Sequence, residues 1–172
     1  DAIITTEVGQ NQMWAAQYFK YKEPRTFLSS GGLGTMGYGL GAAIGAKMGR
    51  PDKTVVNIAG DGCFRMNMNE IATAARYQIP IVQVVVNNHV LGMVRQWQEL
   101  FFQERYSNTI MKNPDFVAIA KAFSIASRVV DSREELDGAI EEMLNHDGAY
   151  LLVANVETCG MVYPMVPAGG SV

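Results

Sequence analysis

The sequence predicts an α/β domain whose sheet is mainly parallel and carries helices on both faces. Short β-branched, apolar runs alternate with helical patterns along the whole chain, which is typical of such folds. The most strand-like run, 81–86, has the apolar character of a strand that is buried on both faces of a parallel sheet.

The turn residues and the apolar periods divide the chain into alternating elements. Strands are predicted at Ala2–Thr5, Thr26–Ser29, Thr54–Ala59, Ile81–Val86, Ile125–Asp131 and Leu151–Val156. Helices are predicted at Asn11–Phe19, Tyr38–Met48, Met68–Tyr77, Leu91–Phe102, from Asn113 onward, and up to Asn145. Asn113 is predicted as an N-cap before Pro114, and Ser132-Arg133-Glu134-Glu135 as a capping box. We predict one domain over 1–163 and a tail without regular structure over 164–172.

Composition narrows the class of protein. The chain has 172 residues, 48% hydrophobic and 18% charged, which suits one globular domain with a sizeable core. The formal net charge of −3 offers no basic face to nucleic acid. The two cysteines lack metal-type spacing, so a reducing compartment is expected. No apolar run is long enough to span a bilayer, so a membrane partner is not expected.

Glycine, amide or acidic residues follow four of the predicted strands. Because ligands of open parallel sheets bind at the carboxyl ends of strands, these four segments should meet at one edge. The segments are Glu7-Val8-Gly9-Gln10-Asn11, 29–37, Gly60-Asp61-Gly62 and Asn87-Asn88-His89.

Asp61 and Asn88 are the candidate metal ligands at this edge. The glycines beside Asp61 would let a ligand approach closely, and Asn88 would add an amide oxygen. One carboxylate and one amide oxygen make a weak protein site, which suits magnesium that takes its other ligands from phosphates and water. The helices that start after Gly37 and after Asn88 should direct their positive N-termini to the same edge. The sequence therefore predicts a diphosphate bound with magnesium.

The glycine-rich segment permits two other interpretations. Gly32-Leu33-Gly34-Thr35-Met36-Gly37 also matches the GxGxxG pattern of dinucleotide-binding proteins, with Asp61 as the acid that would bind a ribose of NAD or FAD. Asp61 lies farther along the chain than the roughly 20 residues typical of that pattern. Alternatively, the glycines serve only helix packing.

Gly60-Asp61-Gly62 followed by Asn87-Asn88 resembles the thiamine diphosphate motif, GDG and then NN after a set gap. Three further stretches are similar to acetolactate synthases in particular, and the likeness covers nearly the whole chain. These stretches are 9–14, 30–39 and 91–98. Pyruvate oxidases and glyoxylate carboligases share the GDG and NN frame, so they remain alternatives, as does a non-enzymatic dinucleotide-binding module.

The resemblance implies roles for individual residues. Asp61, Asn88 and the backbone carbonyl of Val90 would hold magnesium. The residues that would approach the diphosphate are Val8, Gly9, Gln10, Asn11, Gly62, Cys63 and Gly92. The backbone at Gly34 and Met36 would face the aminopyrimidine ring, and Met93 would contact the cofactor and, with Trp97, the substrate. Asn11 stands where the family often has histidine, and Cys63 where serine or alanine is common.

The resemblance also implies an activity and partners. Pyruvate would condense with a second pyruvate or with 2-ketobutyrate, with loss of carbon dioxide, in branched-chain amino acid biosynthesis. No catalytic side chain is assigned in this chain, because the family's activating glutamate lies on an N-terminal pyrimidine-binding domain, usually of a partner subunit. FAD is expected only with a middle domain that the chain also lacks, so the chain alone is not expected to be active.

The expected assembly is a homodimer or homotetramer, with or without a regulatory small subunit. The expected location is the bacterial cytoplasm, with an organelle left open. Glu7 is expected toward the diphosphate and Glu70 away from the strand edge, so that neither acid relays protons. The stripe of Trp97, Phe101 and Phe102 could alternatively be core.

Overall fold

A single six-stranded parallel sheet organises the chain in the computed structural model, which describes residues 1–166 and 169–170. The strands are β1 (Ile3–Thr6), β2 (Phe27–Ser29), β3 (Val55–Gly60), β4 (Val82–Asn87), β5 (Ala126–Val130) and β6 (Tyr150–Asn155). Their order is β2-β1-β3-β4-β6-β5, and every neighbouring pair is parallel. The predicted fold class is confirmed, with strand ends shifted by about one residue.

Helices connect successive strands. They are α1 (Gln10–Tyr18), α2 (Tyr38–Gly49), α3 (Asp61–Asn67), α4 (Ile71–Arg76), α5 (Gly92–Phe101), α6 (Phe116–Ala122) and α7 (Arg133–Asn145). The single helix predicted at Met68–Tyr77 is wrong in its bounds. Helix already begins at Asp61, and a 3-10 turn at Met68–Glu70 separates α3 from α4.

The predicted cap at Asn113 is wrong, and the predicted cap at Ser132 is right in its position but not in its hydrogen bond. α6 is capped by Asp115, whose carboxylate accepts from the Ala118 amide at 2.9 Å, because the Asn113 side chain is engaged elsewhere. Ser132 is the N-cap residue of α7 but makes no side-chain capping bond. Glu135 instead accepts from the backbone amide of Asp131 at 3.1 Å.

Two hydrophobic clusters cover the two faces of the sheet. Successive strand residues belong to opposite clusters, as the alternation of side chains in a strand requires. In β6, Leu151 and Val153 belong to the larger cluster with α2, α4 and α6, whereas Tyr150 and Leu152 belong to the smaller one with α7. The helices therefore lie on both faces, as predicted.

The sheet order places a switch point between β1 and β3. The chain leaves β1 toward β2 on one side and then crosses to β3 on the other side. Ligands of open α/β sheets bind outside the carboxyl ends of strands at such a point. Within the described residues, no helix has both the length and the apolar character needed to cross a membrane.

The tail predicted for 164–172 is only partly described. Residues 164–166 and 169–170 carry no helix or strand, and 167, 168, 171 and 172 lie outside the described residues. The domain boundary at 163 stays a prediction.

A buried polar line crosses the sheet next to the switch point. The Thr5 hydroxyl donates to Asn57 Oδ1 at 2.9 Å, and Asn57 Nδ2 donates to Gln83 Oε1 at 2.7 Å. Helix α2 contacts these side chains at Gly39, whose carbonyl oxygen accepts a hydrogen bond from Thr5 Oγ1 at 3.2 Å. A Cβ at Gly39 would lie 2.9 Å from the Thr6 carbonyl carbon and 3.0 Å from the Glu7 nitrogen.

We therefore expect Gly39→Ala to destabilise the protein by about 1–3 kcal/mol, because backbone must move to admit the methyl group. Gly41→Ala is the matched control in the same helix, since nothing lies within 4 Å of its added Cβ. That variant should gain about 0.4–1 kcal/mol. Urea denaturation measures both, and equal midpoints for the two variants would contradict the close contact at Gly39.

Candidate functional site

A cavity of about 260 Å³ opens at the carboxyl ends of β1, β3 and β4, at the switch point. All predicted cofactor and metal residues line it. They are Val8, Gly9, Gln10, Asn11, Gly34, Met36, Asp61, Gly62, Cys63, Asn88, Val90, Gly92 and Met93. Sequence reasoning missed Gln12, Met13 and Trp14 of α1, which also line the cavity. The sequence pattern that could have revealed them is a helix that follows a strand end and starts with polar and aromatic residues.

Trp97 does not line this cavity. It lies with Met93 and Val94 along a neighbouring open groove, and 52% of its surface is exposed. Phe101 and Phe102 are also exposed, so the alternative that this stripe is core is wrong. Met93 and Val94 line both the cavity and the groove.

Asp61 is the acid of the cavity wall, and it is 1% exposed. It stands where β3 passes directly into α3. Its Oδ1 accepts from the Gly62 amide at 3.0 Å, and its Oδ2 accepts from Asn113 Nδ2 at 2.6 Å. Burial raises the pKa of Asp61, and these hydrogen bonds oppose the rise. Asp61 takes part in none of the ion pairs among the described residues.

Asn88 and Val90 flank a tight turn at the end of β4. His89 has a left-handed backbone with φ 59°, which turns the chain so that its neighbours on both sides line the cavity. Asn88 Oδ1 accepts from the Val90 amide at 3.2 Å, and the Asn88 carbonyl accepts from Thr158 at 3.1 Å. The His89 ring lies 3.2 Å from Asn87 Nδ2 and does not line the cavity.

Two glycines of the cavity, Gly62 and Gly92, leave no room for a ligand, whereas a Cβ at Gly60, on the other side of Asp61, would only touch Asn11 Oδ1 at 3.4 Å. A Cβ at Gly62 would lie 2.7 Å from Leu91 Cδ2. At Gly92 it would lie 2.8 Å from Gln10 Cδ and 2.9 Å from Asn88 Nδ2. Side chains of the wall itself occupy these positions, so the glycines allow the wall to close.

Amide side chains form much of the wall. Gln10 is buried, and its Nε2 donates to Gln96 Oε1 at 3.0 Å and to the Gly160 carbonyl at 2.7 Å. Its Oε1 has no hydrogen-bond partner among the residues that the structure describes. Asn11 Nδ2 donates to the Ile58 carbonyl at 2.9 Å, which uses one of its two hydrogens. The unpartnered oxygen of Gln10 is suited to a donor within the cavity.

Cys63 is buried and its thiol is hydrogen-bonded. Its thiol donates to the Val8 carbonyl at 2.9 Å. Burial, with the negative charge of Glu7, raises the pKa of Cys63 to about 12. The thiol therefore stays protonated and is no nucleophile.

Glu7 has a role that sequence reasoning missed. Its carboxylate is 1% exposed and caps α2. Oε2 accepts from the Gly37 amide at 2.7 Å, and Oε1 accepts from the Gly39 and Leu40 amides at 2.9 and 3.3 Å. Glu7 therefore already occupies the start of α2 and does not line the cavity. Its expected place toward the diphosphate stays a prediction. The sequence pattern that could have predicted this cap is an acid at the end of a strand, followed later in the chain by a glycine-rich helix start.

The helix starts that line the cavity are those of α1, α3 and α5. Since Glu7 already occupies the start of α2, the GxGxxG segment lacks the free helix N-terminus that holds the pyrophosphate of a dinucleotide. Gly34 and Met36 nevertheless line the cavity. Within the described part of the chain, Glu70 accepts hydrogen bonds from Asn69 and from Thr73 of α4, and it does not line the cavity.

We expect Glu7→Gln to destabilise the protein by about 1–3 kcal/mol, because an NH2 group would face a backbone amide that needs an acceptor. Burial raises the pKa of Glu7 above its usual 4.5. The folded state therefore binds the proton more tightly than the unfolded state. Wild-type stability should fall as pH rises from 4.5 through the raised pKa, and the variant should lack this contribution.

Urea denaturation of both proteins from about pH 4 to about pH 8 checks this linkage. Glu70→Gln is the control, since that acid accepts only from side chains. A difference in unfolding free energy between wild type and Glu7→Gln that stays constant with pH would contradict the raised pKa.

Comparisons with known proteins agree with the architecture of the cavity. The family described as thiamine pyrophosphate enzyme, C-terminal TPP binding domain, matches residues 7–154. The chain is 50% identical over 172 residues to the acetolactate synthase isozyme 2 large subunit of Escherichia coli (strain K12), covering 99% of this chain and 31% of that protein. It is 47% identical over 169 residues to the mitochondrial acetolactate synthase catalytic subunit of Saccharomyces cerevisiae, covering 98% of this chain and 24% of that protein.

A chloroplastic relative extends the comparison to plants. Acetolactate synthase 1 of Nicotiana tabacum is 46% identical over 179 residues, covering 99% of this chain and 27% of that protein. The chain thus spans between about a quarter and a third of the length of these relatives. Because the family match runs from the end of β1 into β6 and includes the cavity's loops at β1, β3 and β4, the chain belongs to the C-terminal TPP-binding domain family of thiamine pyrophosphate enzymes.

Proposed function

We propose that the chain is the cofactor-binding part of an acetolactate synthase and binds thiamine diphosphate through a magnesium ion. The charge of the cavity wall carries this proposal. Among the described residues that line the cavity, Asp61 is the one acid, and neither Lys nor Arg occurs. A buried carboxylate repels a diphosphate unless a cation lies between them. A divalent ion at Asp61 removes the repulsion and binds both partners.

The oxygen atoms at the wall fit magnesium. Asp61 offers a carboxylate, Asn88 an amide oxygen and Val90 a backbone carbonyl. Within the described part of the chain, no group of three or more His, Cys, Asp or Glu side chains could hold a metal by itself. Magnesium suits such a sparse, all-oxygen set, because it takes several ligands from phosphate and water.

The remaining wall residues hold and orient the cofactor. The starts of α1 and α5 present backbone amides beside Gly9 and Gly92 for the phosphate oxygens. The turn at Gly34 and Met36 provides backbone groups for the aminopyrimidine ring. When bound, thiamine diphosphate supplies the electron sink for decarboxylating one 2-keto acid and joining the remainder to a second. Orientation and exclusion of water are the contributions of this chain.

No side chain of the described wall is suited to proton transfer at neutral pH. Cys63 stays protonated, Asp61 is committed to the metal, and Glu7 and Glu70 lie outside the wall. We propose that an N-terminal pyrimidine-binding domain of the same or a partner chain supplies the activating glutamate, and that a middle domain binds FAD. The part of each named relative that this chain does not cover is about two to three times as long as this chain, which leaves room for both domains.

The names of the relatives support a proposal about the activity of the whole enzyme. A transferase that condenses pyruvate with pyruvate or 2-ketobutyrate is the activity we propose, acting as a homodimer or homotetramer with or without a regulatory small subunit. Named relatives occur in a bacterium, in mitochondria and in chloroplasts. The 50% identity to the bacterial protein favours a bacterial cytoplasm. Pyruvate oxidase and glyoxylate carboligase are not favoured by these names.

We expect Asp61→Ala to weaken magnesium-dependent binding of thiamine diphosphate by more than about 100-fold, since even outer residues of metal sites contribute 10–100-fold. The full-length protein that carries this domain is titrated with cofactor at fixed magnesium, and tryptophan fluorescence reports binding because Trp14 lines the cavity. Asp52→Ala is the control, because Asp52 is exposed and paired with Arg50. Unchanged cofactor affinity in Asp61→Ala would disprove the metal assignment.

A titration with NADH separates the proposal from a dinucleotide-binding module. NADH that competes with thiamine diphosphate and binds equally well in the presence of a chelator would contradict the proposal.

Trp97 is expected to influence the choice of the second keto acid. It lies on the groove that shares Met93 and Val94 with the cavity, and its ring packs edge-on against Phe101 at 6.1 Å between centroids. Trp97→Leu should change the ratio of acetohydroxybutyrate to acetolactate by about tenfold or more, since small differences in apolar contact discriminate by 10–200-fold. Phe101→Leu, on the same helix but lining neither cavity nor groove, should change the ratio less. Equal effects of both substitutions would show that Trp97 does not select the substrate.

A further inference from the structure

A line of side chains joins Asp61 to the far edge of the sheet across the carboxyl ends of β3, β4, β6 and β5. Asn113 Nδ2 donates to Asp61 Oδ2 at 2.6 Å and to Asn87 Oδ1 at 2.8 Å. Asn87 Nδ2 donates to Asn155 Oδ1 at 2.7 Å, and Asn155 Nδ2 donates to Asp131 Oδ1 at 2.5 Å. Three amides in series therefore connect two carboxylates.

The orientation of each amide in this line is determined by its neighbour. A carboxylate only accepts, so Asp131 requires the NH2 group of Asn155 to face it. Asn155 must then present its oxygen to Asn87, and Asn87 must present its own oxygen to Asn113. Asn113 Nδ2 consequently donates one of its N–H groups to Asn87 and the other to Asp61. Reversal of any single amide would bring two donors or two acceptors together.

The backbone brings Asn113 to this position without help from its side chain. The loop between α5 and α6 is tied to the end of β4 by two hydrogen bonds. The Met111 amide donates to the His89 carbonyl at 2.8 Å, and the Leu91 amide donates to the Thr109 carbonyl at 2.8 Å. Val90 and Ile110 form an antiparallel bridge between them. The loop thus delivers an N–H donor to the buried carboxylate beside the cavity.

We propose that Asn113 is a positioning residue for Asp61, which holds the carboxylate in the orientation that binds a divalent cation. The inference rests on the magnesium site proposed above. Asp61 Oδ1 is restrained by the Gly62 amide and Oδ2 by Asn113, so rotation of the carboxylate costs a charge-assisted hydrogen bond. Residues that orient metal ligands in this way typically contribute 10–100-fold to metal affinity.

Asn113→Leu in the full-length protein tests the proposal, because leucine has nearly the shape of asparagine and no N–H donor. The half-saturating magnesium concentration is measured at fixed thiamine diphosphate by tryptophan fluorescence. It should rise by about 10–100-fold, while saturating magnesium should restore cofactor binding. The thermal midpoint of the metal-free protein, measured alongside, shows whether the variant is folded.

Gln98→Leu is the matched control for a general loosening of the loop. Gln98 ties the same loop at its other end through Ser107, at 3.1 and 3.0 Å, and none of its hydrogen bonds reaches Asp61 or Asn113. Its half-saturating magnesium concentration should stay near that of the wild type. An equal rise in Gln98→Leu would overturn the proposal, because the effect would then belong to the loop.

Asp61→Ala separates this inference from the proposed function. If Asp61→Ala abolishes the magnesium dependence and folded Asn113→Leu leaves it unchanged, the positioning role is wrong and the metal site remains. If Asp61→Ala also leaves it unchanged, the metal site itself is wrong. Should Asn113→Leu fail to fold, Asn113→Ala replaces it. A rise below about threefold in that folded variant, well short of the 10–100-fold expected, would overturn the proposal.

Discussion

Two carboxylates, Glu7 and Asp61, are buried next to the ends of the adjacent strands β1 and β3, and the site is arranged around the cost of burying them. Burial without a partner is expensive for an ionised group. For Glu7, the backbone amides at the start of α2 offset part of this cost without a cation. Asp61 accepts from the Gly62 amide and from Asn113, and its raised pKa shows that its charge is only partly compensated. Glu7 is thus a structural cap, and Asp61 is the acid that we propose as a metal ligand, although both lie at strand ends in the sequence.

The fold and most of the cavity could be predicted because their determinants are local. Apolar runs, glycine turns and residues that follow strand ends are properties of short segments, and parallel strands bring their carboxyl ends together without further information. That is why Asp61, Asn88 and the segment from Val8 to Asn11 were found to line one cavity. The split between α3 and α4 was missed because Asp61 and its flanking glycines were interpreted as a loop, whereas Asp61 is the first residue of α3.

What could not be predicted depends on contacts between segments far apart in the chain. Glu7 meets amides that lie 30 to 33 residues away, and Asn113 meets Asp61 across 52 residues. Asn113 before Pro114 has the local pattern of a helix cap, and the pattern was misleading because the side chain serves Asp61 instead. A short-range signal therefore gave the wrong role for a residue whose partners are fixed by the sheet order.

The cavity wall carries amide side chains where Lys or Arg could stand, and this explains why we expect diphosphate binding to depend on a metal ion. A wall with Arg or Lys could bind a diphosphate directly through charge-assisted hydrogen bonds. Gln10, Asn11 and Asn88 supply polar contacts but no positive charge, and helix N-termini supply only about half a charge each. The attraction for a diphosphate then has to come from an ion that arrives with it, and Asp61 is the wall residue that we propose binds that ion. Binding of the cofactor and binding of the metal are therefore expected to be one coupled equilibrium, in which each ligand raises the affinity for the other.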